Sequence, residues 1–117
     1  MARDEDCLFC KIVAGDIPST VVRDGERTFA FRDVNPQAPV HVLVVPKDHH
    51  PNAEAIATED PALAAELLRE SAEVAKGEGI AESGYRIVLN TGSGAGQTVW
   101  HVHTHVLGGR PMHWPPG

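Results

Sequence analysis

The segment HVHTHVLGGR, residues 101 to 110, carries histidine at every second position: His101, His103 and His105. A β-strand sends alternate side chains to opposite faces. This period therefore predicts an extended strand, with three imidazoles in a row on one face and Val102, Thr104 and Val106 on the other. The spacing also limits the chemistry. A strand rises about 3.3 Å per residue, which sets His101 and His105 roughly 13 Å apart, whereas the ligands of one zinc ion lie within about 4 Å of one another. Two alternate histidines can share a metal, but three on a straight strand do not fit one ion. At least one has another job. Near neutral pH an imidazole is part base and part acid, and its unprotonated nitrogen is a competent nucleophile towards phosphorus. A neighbouring imidazole can hold its tautomer or donate a proton to a departing group. The plain alternative is a solvated polar strand face, which fits poorly in a chain that has seven histidines in all.

Directly upstream, NTGSGAGQT (90 to 98) supplies glycines that let backbone N–H groups converge, together with the Thr98 hydroxyl. No Lys follows and the GxxxxGK[ST] spacing is missing, so this is not a P-loop. Alone it reads as a turn; leading into the histidine strand, it is a candidate oxyanion cradle.

The rest of the chain alternates strand and turn signals around one long helix. CLFCKIVAG places Phe9, Ile12 and Val13 at helical spacing and ends at Gly15, which predicts a short helix with Pro18 beyond it. TVVRDGERTFAFRD reads as a β-hairpin, Asp24-Gly25 favouring the positive φ of a tight turn. HVLVVPKD (41 to 48) is a continuous apolar run, as expected of a central strand covered on both faces. From Pro61 to Lys76 the period becomes helical. Ala64, Leu67, Leu68, Ala72 and Ala75 share an apolar face opposite Glu66, Arg69, Glu70, Glu73 and Lys76, with Asp60 as N-cap and Gly77 at the end. Residues 85 to 90 and 98 to 107 read as two more strands. Strands in runs with a single long helix predict an α+β fold with a mostly antiparallel sheet.

A chain of 117 residues is best read as one domain over 1–117, with a polar arm at 1–6 whose tip is flexible and a Pro/Gly-rich tail at 108–117. The net charge of -6 would repel a nucleic-acid backbone, so any phosphate-bearing partner is expected to be small. No apolar run reaches the length of a membrane span and the charged start does not read as a signal peptide, so a cytoplasmic protein is expected. Cys7 and Cys10 form a CxxC, which by itself fits a redox pair, half a zinc site or two incidental thiols.

Taken together, CLFCKIVAGDIPS, FAFRDVNPQAPVHVLVVPKDH and GYRIVLNTGSGAGQTVWHVHTHVLGGRPMHWPPG span nearly the whole chain. They resemble the histidine triad (HIT) family, with its His-φ-His-φ-His-φ-φ hallmark, and within it the Hint branch of nucleoside phosphoramidate hydrolases. The resemblance implies a five-stranded antiparallel sheet with one long and one short helix, continued across a homodimer into ten strands. It also implies a purine nucleotide substrate, AMP, GMP or their phosphoramidates, cleaved without a catalytic cofactor. His103 would be the nucleophile that forms a nucleotidyl-histidine. His105 and Thr98 would contact the phosphate and leaving group, and His41 and His101 would orient the nucleophile or relay protons to it. Asn90, Gly96 and Gln97 would help hold the phosphate and Asp33 the ribose, while Phe9, Ile12, Phe31, Val34 and Leu43 would form the base pocket. The tail would reach towards the partner subunit's site.

On the residues alone, Phe31 and Leu43 also read as plain core, Asp33 as a turn residue and His41 as a hydrogen-bonded core histidine. The sequence departs from the branch at Thr104 in a φ position, Arg32 for histidine, Trp100 for tyrosine and Thr98 for serine. Some bacterial relatives of the family carry the same CxxC within a structural zinc site. Carried over, its ligands would be Cys7, Cys10, His49 and His101, with His50 as a rival. Two other functions share these motifs: a dinucleoside polyphosphate hydrolase, which the MHWPPG tail argues against, and a non-catalytic nucleotide-binding or scaffold protein.

Overall fold

The computed structural model describes residues 4 to 117. Strands β1 (Val21–Asp24), β2 (Thr28–Arg32), β3 (Val40–Pro46), β4 (Tyr85–Val88) and β5 (Thr104–Gly108) form one sheet in the order β1-β2-β3-β5-β4, every neighbouring pair antiparallel. Helices α1 (Leu8–Ala14), α2 (Ala53–Glu59) and α3 (Pro61–Gly77) and a single 3-10 turn, Ser93–Ala95, complete the described elements. The expected α+β architecture is present, with one short helix more than the sequence pattern predicted. That helix, α2, buries only Ile56 and is started by the Asn52 side chain accepting from Ala55 N–H, so its apolar periodicity is too thin to read.

The apolar run of β3 is explained by what covers it. Val42 and Val44 face α2 and α3 in a core with Ala30, Ile56, Leu63, Leu67, Val74, Val102 and Val106. Leu43 and Val45 face α1 in a second core with Phe9, Cys10, Ile12, Phe29 and Phe31. The central strand is therefore buried on both sides, and strand alternation decides which side chains meet which helix.

Three details differ from expectation. In α3, Leu68 is 58% exposed while Glu70 is buried, so the inward face runs through Leu63, Leu67, Glu70, Ser71 and Val74. Glu70 tolerates burial because Arg23 Nε donates to it at 2.7 Å, and this partner holds its carboxyl below the usual carboxylate range. The hairpin turn is wider than two residues: Asp24 pairs with Phe29, Gly25 N–H donates to the Thr28 carbonyl, and Gly25 does not have positive φ. Glycine suits that position by size instead, since a Cβ there would stand 3.1 Å from Thr28 Oγ1 and 3.2 Å from Glu70 Oε1. Finally, β5 begins at Thr104 and not at residue 98, and β4 ends at Val88. Residues 101 to 103 stay outside the ladder because Val102 N–H donates to the His50 carbonyl and the His101 carbonyl accepts from a side chain.

Of the expected flexible arm, residues 1–3 lie outside the described residues. Asp4 to Asp6 form a turn onto α1, in which Asp4 N–H points to Cys10 Sγ and Cys7 N–H donates to the Asp4 carbonyl. At the other end the tail lies against the edge strand β4, Arg86 Nη2 donating to the His113 carbonyl at 2.8 Å, with Trp114 83% exposed. Among the described residues no helix is long and apolar enough to cross a membrane.

Candidate active site and metal cluster

Alternation brings the chemistry to the α1 side of the sheet. Phe29, Phe31 and then Asp33 leave β2 on that side, His41 and Leu43 leave β3, and His105 leaves β5 opposite Leu43. They surround a cavity of about 450 Å³ lined by Phe9, Ile12, Phe31, Asp33, Leu43, Thr98, His103 and His105. Thr98 also lines an adjoining cavity of about 420 Å³ with Leu8, His49, Trp100, Asp4 and Asp6.

Hydrogen bonds assign the imidazole tautomers. His103 Nδ1 lies 2.8 Å from the His101 carbonyl, an acceptor only, so Nδ1 carries the proton and the Nε2 lone pair is left free. Phe9 packs edge-on against this ring, with centroids 5.0 Å apart. Gln37 N–H donates to His41 Nδ1 at 3.0 Å, so His41 carries its proton on Nε2 and donates it to His105 Nδ1, 2.9 Å away. His105 therefore presents Nε2–H. Burial pushes His41 and His103 below the usual imidazole value, and burial followed by the neighbouring imidazoles takes His105 to about 4. Near neutral pH these three rings are uncharged.

Asp33 sits at the end of this chain. One carboxylate oxygen accepts from Asn35 N–H at 2.8 Å, the turn that its position before Asn35-Pro36 predicted, and the other is 3.4 Å from His41 Nε2. Asp33, His41 and His105 are close enough to share an ion. The hydrogen bonding speaks against one, because His41 Nε2 holds a proton and not a lone pair.

The second cluster has the opposite character. His101 Nε2–H donates to the Pro46 carbonyl at 2.8 Å, which turns the Nδ1 lone pair towards Cys7 Sγ (3.3 Å), Cys10 Sγ (3.5 Å) and His49 Nδ1 (3.2 Å). Cys10 Sγ is also 3.5 Å from His49 Nδ1, and burial pushes the Cys10 thiol up. Tetrahedral zinc, with bonds of about 2.0–2.3 Å, sets its ligands about 3.3–3.7 Å apart. Four of the six donor pairs already stand at close to that spacing and all four donors lie within 4.8 Å of one another, as two thiols and two imidazole nitrogens, a set suited to zinc. The rival His50 is outside the cluster: it is buried with Nδ1 on Glu59 Oε1 at 2.9 Å, and its Nε2 has no partner among the described residues.

A family model described as HIT domain matches residues 14–112, which include the whole histidine row and all five strands. The chain belongs to the HIT domain family. A "Purine nucleoside phosphoramidase" of Escherichia coli K12 is 41% identical to this HIT protein over 92% of this chain and 91% of the relative. The "14 kDa zinc-binding protein" of Zea mays is 46% identical over 97% of this chain and 90% of the relative. The crystal structure of a HIT family hydrolase from Legionella pneumophila superimposes with a TM-score of 0.92 at 49% identity, covering 96% of this chain and 100% of that one.

The expected residues of this HIT protein divide into two groups. The cavity brings together Phe9, Ile12, Phe31, Asp33, Val34, Leu43, Thr98, His103 and His105, with Val34 fully exposed at its mouth. Phe31 and Leu43 are core residues and lining residues at once. His41 stands behind His105, His101 faces the thiols, and Asn90, Gly96 and Gln97 do not line the cavity. Gln97 is buried and braces the glycine loop, its Oε1 accepting from Gly92 N–H and its Nε2 donating to the Pro51 and Val99 carbonyls.

The departures also find physical reasons. Thr104 Oγ1 is 2.6 Å from Ser71 Oγ on α3, so its hydroxyl is satisfied inside the core. The Arg32 guanidinium is bound to Glu78 at 2.7 and 3.2 Å, on the side of the sheet that carries α3. Trp100, 50% exposed, belongs to the adjoining cavity. Sequence reading missed Gln37, because its part is played by a backbone N–H that any residue except proline carries.

Proposed function

We propose that this HIT protein is a hydrolase that cleaves the P–N bond of purine nucleoside phosphoramidates, of the AMP or GMP type, through a nucleotidyl-histidine on His103. The observation that carries this reading is the His103 tautomer. With Nδ1–H held by the His101 carbonyl at 2.8 Å, the nucleophilic lone pair lies on Nε2 of a ring that lines the cavity. The 41% identical phosphoramidase of E. coli supports it.

In the first step His103 Nε2 bonds to phosphorus as the P–N bond breaks, and the leaving amine takes a proton. His105 Nε2–H and the Thr98 hydroxyl are the donors offered for the phosphate oxygens and the departing nitrogen. Water then attacks phosphorus, the Nε2–P bond breaks, and the nucleoside monophosphate leaves. Phe9, Ile12, Phe31, Val34 and Leu43 form a slot for a flat base, and the Asp33 carboxylate suits a vicinal diol. Asn90 and Gly96 stand outside the cavity lining, so the phosphate falls to Thr98 and His105, with Gln97 setting the shape of the glycine loop that leads to Thr98.

No cofactor enters these steps. Cys7, Cys10, His49 and His101 would hold a structural zinc with no position open for substrate, tying α1 to the sheet. We further propose that the protein acts in the cytoplasm as a homodimer whose sheet continues across the β4 edge, the tail extending towards the partner's cavity.

The test is a quench of the reaction with adenosine phosphoramidate followed by mass spectrometry. A nucleotidyl adduct at His103, absent in His103→Ala, is the expected result. Tight AMP binding with neither adduct nor turnover would overturn catalysis and leave a nucleotide-binding protein.

A further inference from the structure

Arg110 lies beyond β5, in the part of the chain read from sequence as tail, and its side chain is exposed. Even so, its guanidinium closes a two-donor clamp on one backbone carbonyl: Nε and Nη2 reach Gln37 O at 3.1 and 2.9 Å. Gly109 makes the approach possible. Its φ is +89°, and a Cβ there would stand 2.9 Å from Pro39 Cβ, so the chain can turn tightly over the 33–39 loop only without a side chain. The same loop is held from inside by Asn35 N–H on Asp33 and by Gln37 Nε2 on the Asn35 carbonyl.

We infer that Arg110 is a positioning residue for the His41–His105 pair, acting through the backbone of Gln37. The clamped residue is the one whose N–H donates to His41 Nδ1 at 3.0 Å. The effect is geometric and not electronic, because the Gln37 carbonyl is conjugated with the Ala38 nitrogen and not with its own. Two charge-assisted bonds fix the orientation of Gln37, and that fixes the donor aimed at His41. Without that donor His41 is free to carry its proton on Nδ1. Its Nε2 lone pair then faces His105, which must move its own proton to Nδ1 to fill the 2.9 Å contact, and Nε2 of His105 ceases to be a donor towards the cavity. Among the described residues Arg110 makes no hydrogen bond into the core; besides Gln37 it reaches only the Pro111 carbonyl, so removing it spares the fold.

The kinetic consequence rests on the histidine chemistry proposed above, whereas the tautomer consequence does not. The experiment reads both on the full chain. Long-range ¹H–¹⁵N spectra of the ring nitrogens should show Nε2–H on His41 and His105 in the wild type, mixed tautomers in Arg110→Ala, and an intermediate pattern in Arg110→Lys. With adenosine phosphoramidate, Arg110→Ala should lower kcat about tenfold, within the range of a mispositioned proton donor, and leave KM within about twofold. Unchanged ring-nitrogen shifts in Arg110→Ala would overturn the inference, as would a changed KM with kcat intact. A wild type that forms no adduct at His103 would sink the proposed hydrolase and leave the tautomer result to decide the clamp.

Discussion

The His101 carbonyl holds His103 Nδ1 at 2.8 Å while the His101 ring faces the thiols of Cys7 and Cys10 at 3.3 and 3.5 Å. One residue thus joins the two clusters, its backbone serving the cavity and its side chain the cysteines. Neighbouring members of one histidine row have separate chemistries because residues 101 to 103 leave the strand ladder.

The first prediction concerns His103. Its replacement by alanine should lower kcat/KM by about a thousandfold or more, because no other ring lining the cavity has its Nε2 lone pair freed. Steady-state kinetics with adenosine phosphoramidate and calorimetry with AMP provide the check; nucleotide affinity should change by no more than severalfold.

The second concerns pH. Burial lowers the pKa of His103, and burial with its neighbours takes His105 to about 4. Protonating His103 removes the lone pair that attacks phosphorus, so the acid limb of the log kcat/KM profile should lie below the ordinary imidazole value of about 6.5. Stability has the same sign. For a group whose folded pKa is depressed, the unfolded chain binds the proton that the native ring refuses, so the contribution of His105 is lost as pH falls from about 6.5 to about 4. An acid limb centred near 6.5 would contradict the assignment.

The third concerns zinc. Protein purified without chelator should contain about one equivalent, and Cys7→Ser should lose most of it. The mutant should melt about 5–10 °C lower, the shift expected for a loss of 1–2 kcal/mol in a domain of this size. Elemental analysis with thermal melts decides it. Metal-free wild type whose melting point the mutation does not move would exclude the site.

The fourth concerns the core pair Ser71 and Thr104, bonded at 2.6 Å with Ser71 Oγ also donating to the Leu67 carbonyl. Ser71→Ala strands a buried hydroxyl and should cost about 1–3 kcal/mol, whereas adding Thr104→Val removes that stranded group and should recover part of the loss. Urea melts of the double-mutant cycle measure it, and turnover should be nearly unaffected because both side chains lie on the α3 side of the sheet.

Much of the fold was legible because it depends on local rules. The apolar run of β3, Gly15 in left-handed conformation closing α1, and Asp60 capping α3 follow from periodicity and capping chemistry. Misreadings occurred where a distant partner overrode the local pattern: Arg23 allows Glu70 to turn inward, and His50 draws Val102 out of the strand. The candidate site divides in the same way. The residue types at 98, 101, 103 and 105 already name the chemistry, since imidazole and hydroxyl groups carry it with them.

The chain itself, then, determined which reactive groups exist and which face of the sheet each one takes, because strand alternation is a property of neighbouring residues. Only the folded molecule decided which nitrogen of each ring carries its proton. That choice belongs to carbonyl and N–H partners contributed by Gln37, Pro46 and His101: the partner of His101 comes from strand β3, and those of His41 and His103, though near in sequence, are aimed by the path of the backbone and not by residue type.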